Sequence, residues 1–386
     1  MRKISFSFLF LMAAFTFLFA EDTYYLKGKL GNFQIYLYFE DYTSEYPNND
    51  NAIEGKYFYQ SSLKDIALSG KRSDNTFIFY FDEYKGEFQE KFVLTKDSLN
   101  NFSGTWENDN GKKLVVELQP IKEEDVANPY EDMEIIKKLK KDDLYEYAKS
   151  AFIKFVKEDV DTAINNKHIE WFSEKHCDMR FFRLGKDFSE STKNIVNKKL
   201  KEIHLSEILD QLSCALSWYN KGNSIYYEVS IGYIDDHLLG FQIFSYWDCR
   251  FTHPDSSLSG YLIDLSDGKN YDIDDILSFD KSVTTYSDDD NDSAFESFSN
   301  YRTNFFAPQL YKVMNSLYHF SKLKVDGCDY TNIEHWDFPS WNFTSKGIEF
   351  TPSFNWNTRN CEGPFLVPFS KLKKFKNPKF PYNFPK

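Results

Sequence analysis

The sequence predicts an α+β protein of two domains: an N-terminal antiparallel β-barrel or meander, and a C-terminal α+β domain with a mainly antiparallel sheet. Three observations carry this. A chain of 386 residues has the length for two cores. Residues 21–121 are short aromatic and β-branched runs separated by turn residues. Residues 167–376 mix helical and alternating periods.

In the first block the runs are "YYLKGKL", "FQIYLYFE", "GKYFYQ", "DIALSGKR", "TFIFYFDEY", "EFQEKFVLT", "NFSGTWEN" and "KLVVELQPI". Gly31-Asn32, Ser73-Asp74-Asn75, the stretch 47–50 and the stretch 108–111 punctuate them. Eight such segments can close into an up-and-down barrel, which removes edge strands. Period two places Phe33, Ile35, Leu37 and Phe39 on one face, with Gln34, Tyr36 and Tyr38 on the other. A side-chain-filled interior is expected over a lipocalin-like cavity at this size.

Residues 122–166 read as a helical connector. Ile136, Leu139, Leu144, Tyr147, Ala151 and Phe155 fall at helical spacing, and Pro129 suits a helix start. In 167–376, "HIEWFSEKHCDMRFFRLG" alternates enough for one or two strands, and a helix follows with Ser189 or Ser191 as N-cap. A hairpin turns near Asp235–His237, a helix covers about 294–320, and strands close the domain before a tail at 377–386.

The N-terminus has the three-part layout of a secretory signal peptide over residues 1–20. Arg2 and Lys3 precede an apolar run from Ile4 to Phe19, and Ala20 stands before Glu21 and Asp22. The expectation is an exported protein, periplasmic or secreted, with no permanent membrane span. The net charge of −13 becomes two units more negative without Arg2 and Lys3. Such a chain repels phosphate backbones, which excludes nucleic acid as a partner class and favours a basic protein. Five cysteines (Cys177, Cys214, Cys249, Cys328 and Cys361) allow two disulfides and one thiol, with connectivity open. No Cys/His spacing fits a zinc site, and no cofactor is called for.

Few residues suggest chemistry. His253 lies between Thr252 and Pro254, with Asp255, Asp264 and Asp267 near in sequence to orient its ring. It reads first as strand punctuation and second as a ligand contact. Asp288, Asp290 and Asp292 are weak calcium candidates, lacking the glycine and distal glutamate of an EF-hand. Trp336, Trp341 and Trp356 can stack on sugars or fill a core, and the core is the better expectation. His176-Cys177 lacks a third partner at local spacing.

Two resemblances add to this. "GKYFY", "IALSGKR" and "FSGTWEN…KLVVELQP" resemble a small β-domain common in exported bacterial proteins, with G-x-Y-x-Y and G-T-W steps. That implies a tight backbone at Gly104 beside Trp106, whose indole caps a barrel end. In the second half three stretches occur in order. "FQIFSYWDCRFTHPD" keeps Thr252-His253-Pro254. "YLIDLSDGKNYDIDDIL" keeps Asp264, Gly268, Lys269, Ile273, Asp275 and Ile276. "FTSKGIEFTPSFNWNTRNCEGPFLVPFSKL" keeps Thr344, Gly347, Ile348, Phe350, Gly363, Val367, Pro368 and Leu372. Together they resemble the RsiV/PdaC-type exported domain of unknown function, although Arg250 and Phe251 stand where that family has a glycine pair. The resemblance implies cell-envelope sensing, with a lysozyme-like protein or a peptidoglycan glycan as partner.

The resulting expectation is an exported, non-catalytic cell-envelope protein that binds such a ligand. The alternatives are an envelope polysaccharide hydrolase or esterase using His253 with a carboxylate, and a structural envelope protein.

Overall fold

The computed structural model describes residues 22–46, 49, 51–81, 89–177, 179–214, 225–249, 254–280, 292–323 and 325–385. The segment 1–20, read above as a signal peptide, lies outside them. The chain divides into two compact units, one drawn from 1–61 and 66–122, the other from 62–65 and 123–386.

The first unit is the eight-stranded closed barrel. Its strands are β1 (Asp22–Leu30), β2 (Phe33–Asp41), β3 (Ile53–Tyr59), β4 (Ile66–Ser73), β5 (Thr76–Phe81), β6 (Glu90–Lys96), β7 (Phe102–Asn108) and β8 (Lys113–Pro120). Each is antiparallel to the next, and β8 pairs back onto β1 through Leu26↔Pro120 to Leu30↔Val116. Every run read from the sequence becomes a strand. Ile35, Leu37 and Phe39 are buried as the alternation requires, but Phe33 is 51% exposed. It is the first residue after the Gly31 turn, beyond the wall that buries its neighbours, and its ring meets Tyr59 edge-on at 5.9 Å. Aromatic rings fill the interior. Phe39 packs within 5.7 Å of the ring centroids of Phe77, Phe79 and Phe102. A Cβ on Gly104 would fall 2.0 Å from the Val93 carbonyl oxygen, so β6 and β7 can approach this closely only with glycine there. Trp106 is buried, and its indole N–H donates to Glu90 Oε2 at 3.0 Å.

The second unit opens with α1 (Glu134–Asp142) and α2 (Leu144–Ser150). Asp143 caps α2 by accepting from the N–H groups of Tyr145 and Glu146. The helical reading holds to Ser150 and fails beyond it. Phe155, counted above as a helix position, starts β9 (Phe155–Ile164), because pairing with β10 (Lys167–Glu174) outweighs the local helical spacing. Pro129 lies in a turn rather than at a helix start. On α2, Lys149 is fully buried and pairs with Asp65 and Glu146, both at 2.8 Å.

β11 (Arg180–Leu184) completes a three-stranded antiparallel sheet in the order β11-β10-β9. α3 (Glu190–Ser213) follows, capped by Ser189. A second sheet has the order β12-β13-β14-β15, from β12 (Ile225–Ile234), β13 (Leu238–Trp247), β14 (Asp255–Asp264) and β15 (Asn270–Tyr271). The β12–β13 turn spans Asp235–His237, as expected. After α4 (Ile273–Ile276), the long helix read from sequence divides into α5 (Asp292–Tyr301), a π-helical segment (Arg302–Phe306) and α6 (Ala307–Tyr318). A third sheet holds β16 (Ser340–Phe343), β17 (Gly347–Thr351) and β18 (Phe365–Pro368), followed by α7 (Phe369–Leu372).

The middle sheet separates two cores. Leu239, Phe241, Ile243 and Ile263 pack with Phe181, Phe182, Val196 and Leu200. Leu238 and Leu262 pack with Phe343, Phe350, Leu310 and Trp336. β16 lies so close to this sheet that a Cβ on Gly260 would sit 1.9 Å from the Trp341 carbonyl oxygen. Disulfides join Cys214 to Cys249 and Cys328 to Cys361, and Cys177 is in neither.

Two expectations follow. Gly260→Ala should lower the unfolding free energy by about 3 kcal/mol, since backbone must move to admit the methyl; an unchanged urea midpoint would contradict this close approach. Replacing Cys328 and Cys361 by Ser should cost about 4 kcal/mol, from the loop-closure entropy of a 33-residue separation. Non-reducing peptide maps should recover both pairs.

Candidate functional site

A cavity of about 1010 Å³ lies wholly in the second unit. Three structural pieces build it. The loop 129–133 supplies Tyr130 and Asp132, and the β9–β11 sheet supplies Phe155, Glu170, Phe172 and Arg183. α3 supplies Asn194, Asn197, Lys198 and Lys201, whose spacing of three, four and seven residues keeps them on one helix face. The opposite face, with Val196, Leu200 and Ile203, is in the core. Asn197 ties helix to sheet: its Oδ1 accepts from the Leu184 N–H at 2.7 Å, and its Nδ2 donates to the Leu184 carbonyl at 3.1 Å.

Arg183 lies at the back of this cavity. The register opposes it to Glu170, yet Glu170 pairs with Lys157 at 2.8 Å. Among the described residues Arg183 forms no ion pair. It donates to the Phe182 carbonyl at 2.7 Å and to His204 Nδ1 at 3.3 Å. Its guanidinium lies 5.5, 5.4 and 5.7 Å from the ring centroids of Phe155, Phe172 and Phe181. Burial pushes it down to about 9, so it stays charged at neutral pH. Burial, and then the Arg183 charge, hold His204 well below its ordinary value, which leaves a neutral ring able to accept at Nδ1. Lys201 is lowered by burial and by Arg183, and its ammonium lies 4.6 Å from the Tyr130 ring centroid.

Two further lysines are matched. Lys198 pairs with Asp132 at 2.8 Å, and Lys193 with Glu190 at 2.5 Å. Five cationic residues and three acidic ones line the cavity, the fifth cation being exposed Lys154.

The residues singled out from sequence lie elsewhere. His253 is outside the described residues, as are Asp288 and Asp290; Asp292 begins α5. Asp255 forms an ion pair with Arg359. Asp264 is buried. Its Oδ1 accepts from the Ser266 N–H and hydroxyl at 2.9 and 2.6 Å, and its Oδ2 from Tyr271 and Tyr382 at 3.1 and 2.7 Å. Burial would raise its pKa, but these hydrogen bonds win and lower it. Trp336 has no exposed surface, donates to the Tyr330 carbonyl and stacks on Phe320 at 5.4 Å. Trp341 is buried but touches a second cavity of about 440 Å³ beside Arg302. Trp356 is 62% exposed. His176 pairs with buried Glu174 at 2.7 Å. Among the described residues no three His, Cys, Asp or Glu side chains come together to hold a metal ion.

Sequence reading missed the Arg183 cavity. The available signal was an arginine inside the apolar run "FFRL", followed by Asn and Lys at helical spacing.

No family model and no curated protein matches the chain. It is similar to two solved DUF3298 proteins. One, from Pseudomonas aeruginosa PAO1, is 12% identical over 60% of this chain and 98% of its own, with a TM-score of 0.28. The other, from Bacteroides fragilis, is 12% identical over 59% of this chain and 94% of its own, with a TM-score of 0.30.

Neutral, buried His204 makes the fold pH-sensitive in a definite direction. Its folded pKa is depressed, so the unfolded chain takes up the proton first as pH falls below about 6.5. The stability linked to this ring is complete above that value and is lost below it. The slope approaches about 1.4 kcal/mol per pH unit for one proton. Urea titrations of His204→Gln should show a flatter profile than wild type between pH 6.5 and 5; parallel profiles would contradict the assignment.

Proposed function

We propose that this chain is an exported, non-catalytic cell-envelope protein that binds a glycan in the Arg183 cavity. The observation that carries the reading is the cavity itself: an open space of about 1010 Å³ with aromatic walls, fixed polar groups and unmatched positive charge. Ligand sites combine apolar surface with a few polar groups in this way.

Export is supported by the layout of residues 1–20 and by two disulfides, which persist in oxidising compartments. No described helix is long and apolar enough to cross a membrane. The hydrolase alternative has less support. Asp255 is committed to Arg359 and Asp264 to four donated hydrogen bonds, so neither is a free base for His253. A lysozyme-like protein partner is favoured by a different observation, the net charge of −13.

The test is fractionation of expressing cells, followed by binding of residues 21–386 to envelope glycan fragments and to lysozyme at low and physiological salt. The reading expects protein outside the cytoplasm, glycan binding that survives physiological salt, and no turnover of the glycan. Cytoplasmic retention would overturn export; glycan cleavage would overturn the non-catalytic reading.

A further inference from the structure

Among the described residues the second unit contains three buried Lys or Arg side chains, and the fold treats one of them differently. Lys149 has Asp65 and Glu146. Arg302, 5% exposed, has Asp274 at 2.6 Å. Arg183, 6% exposed, has a backbone carbonyl and a neutral imidazole. Burying a charge without an opposite charge is costly, and the cost grows when a second cation faces it. Lys201 is that second cation, and among the described residues its ammonium forms no ion pair. Asp132 offsets Lys201 in part, but Asp132, Glu170 and Glu190 are each held by another lysine, and none of them pairs with Arg183.

We propose that this cavity is an anion site that holds the carboxylate of an acidic sugar between Arg183 and Lys201. The chemistry follows from the walls. Arg183 spends two of its five N–H groups on Phe182 and His204, which leaves donors to meet an oxyanion. Lys201 adds a point charge from α3. Phe155 and Phe172, both half-buried on the cavity wall, present ring surface on which the apolar face of a pyranose can lie. Asn194, exposed on the same helix face and without a hydrogen bond among the described residues, is placed to meet a sugar hydroxyl. The inference deepens the glycan-binding reading and rests on it.

The experiment uses residues 21–386 with three probes at physiological salt: a galacturonate tetramer, its neutral methyl ester, and inorganic phosphate. Affinities are read by calorimetry for wild type, Arg183→Gln and Lys201→Gln. Lys201 is on the cavity wall and only half-buried, so Lys201→Gln stays informative should Arg183→Gln fail to fold. The expected result is binding of the acid, at least tenfold weaker binding of the ester, and at least tenfold loss for the acid in Lys201→Gln. Equal binding of acid and ester, unchanged in Lys201→Gln, overturns the anion site and leaves glycan binding standing. Phosphate binding that is lost in Lys201→Gln, with neither sugar bound, supports the anion site and overturns its sugar occupant. No binding of any probe overturns both.

Discussion

The second unit depends on the close seating of β16 against the β12–β14 sheet. A sheet buried on one face can leave its other side polar. Here the segment Leu238–Phe241 is buried throughout, with Leu239 and Phe241 in one core and Leu238 in the other. Gly260 removes the side chain that would hold β16 away. The middle sheet is thereby fixed from both sides. α3 packs on it through Val196, Leu200 and Ile203, so the helix face that lines the Arg183 cavity is set by the same core. A site mounted this way has little freedom to collapse around an unmatched charge.

That rigidity gives the electrostatics their meaning. A mobile arginine would turn to water or to Glu170, its ladder neighbour. Arg183 is held instead by three aromatic rings, a carbonyl and His204. The ring stays neutral because burial and the guanidinium both oppose its protonation. The arrangement is self-consistent: the cation keeps the imidazole an acceptor, and the acceptor keeps the cation in place.

Much of the architecture was legible because it is written in local periods. The barrel strands alternate, carry glycine or asparagine at their turns and lack competing helical spacing. Ser189 and the Asp235–His237 turn were legible for the same reason. β9 was not. "FVKEDVDTAI" has apolar residues that suit either period, and the decision comes from β10 across the sheet. The cysteine pairing depends on which chain segments meet, which spacing does not encode. The site was hidden because β11 is apolar on both faces. Alternation puts Arg183 with Phe181, and nothing local says whether that side faces water or core. The residues that stood out chemically, Asp264 and Trp336 among them, stood out for side chains that the fold consumes in hydrogen bonds and packing.

A basic protein and an acidic sugar would use different parts of the same charge distribution. A basic protein would be drawn by the field of the whole acidic surface, a long-range attraction that salt screens over about 8 Å at physiological ionic strength. An acidic sugar meets the opposite situation. The net charge of −13 opposes its approach, and the attraction begins only where Arg183 and Lys201 dominate locally. There the charges are partly shielded from solvent, so added salt weakens the repulsive far field more than the attractive contact. Affinity that is flat or rising with salt is therefore the signature of the cavity. Affinity that falls steeply is the signature of the surface.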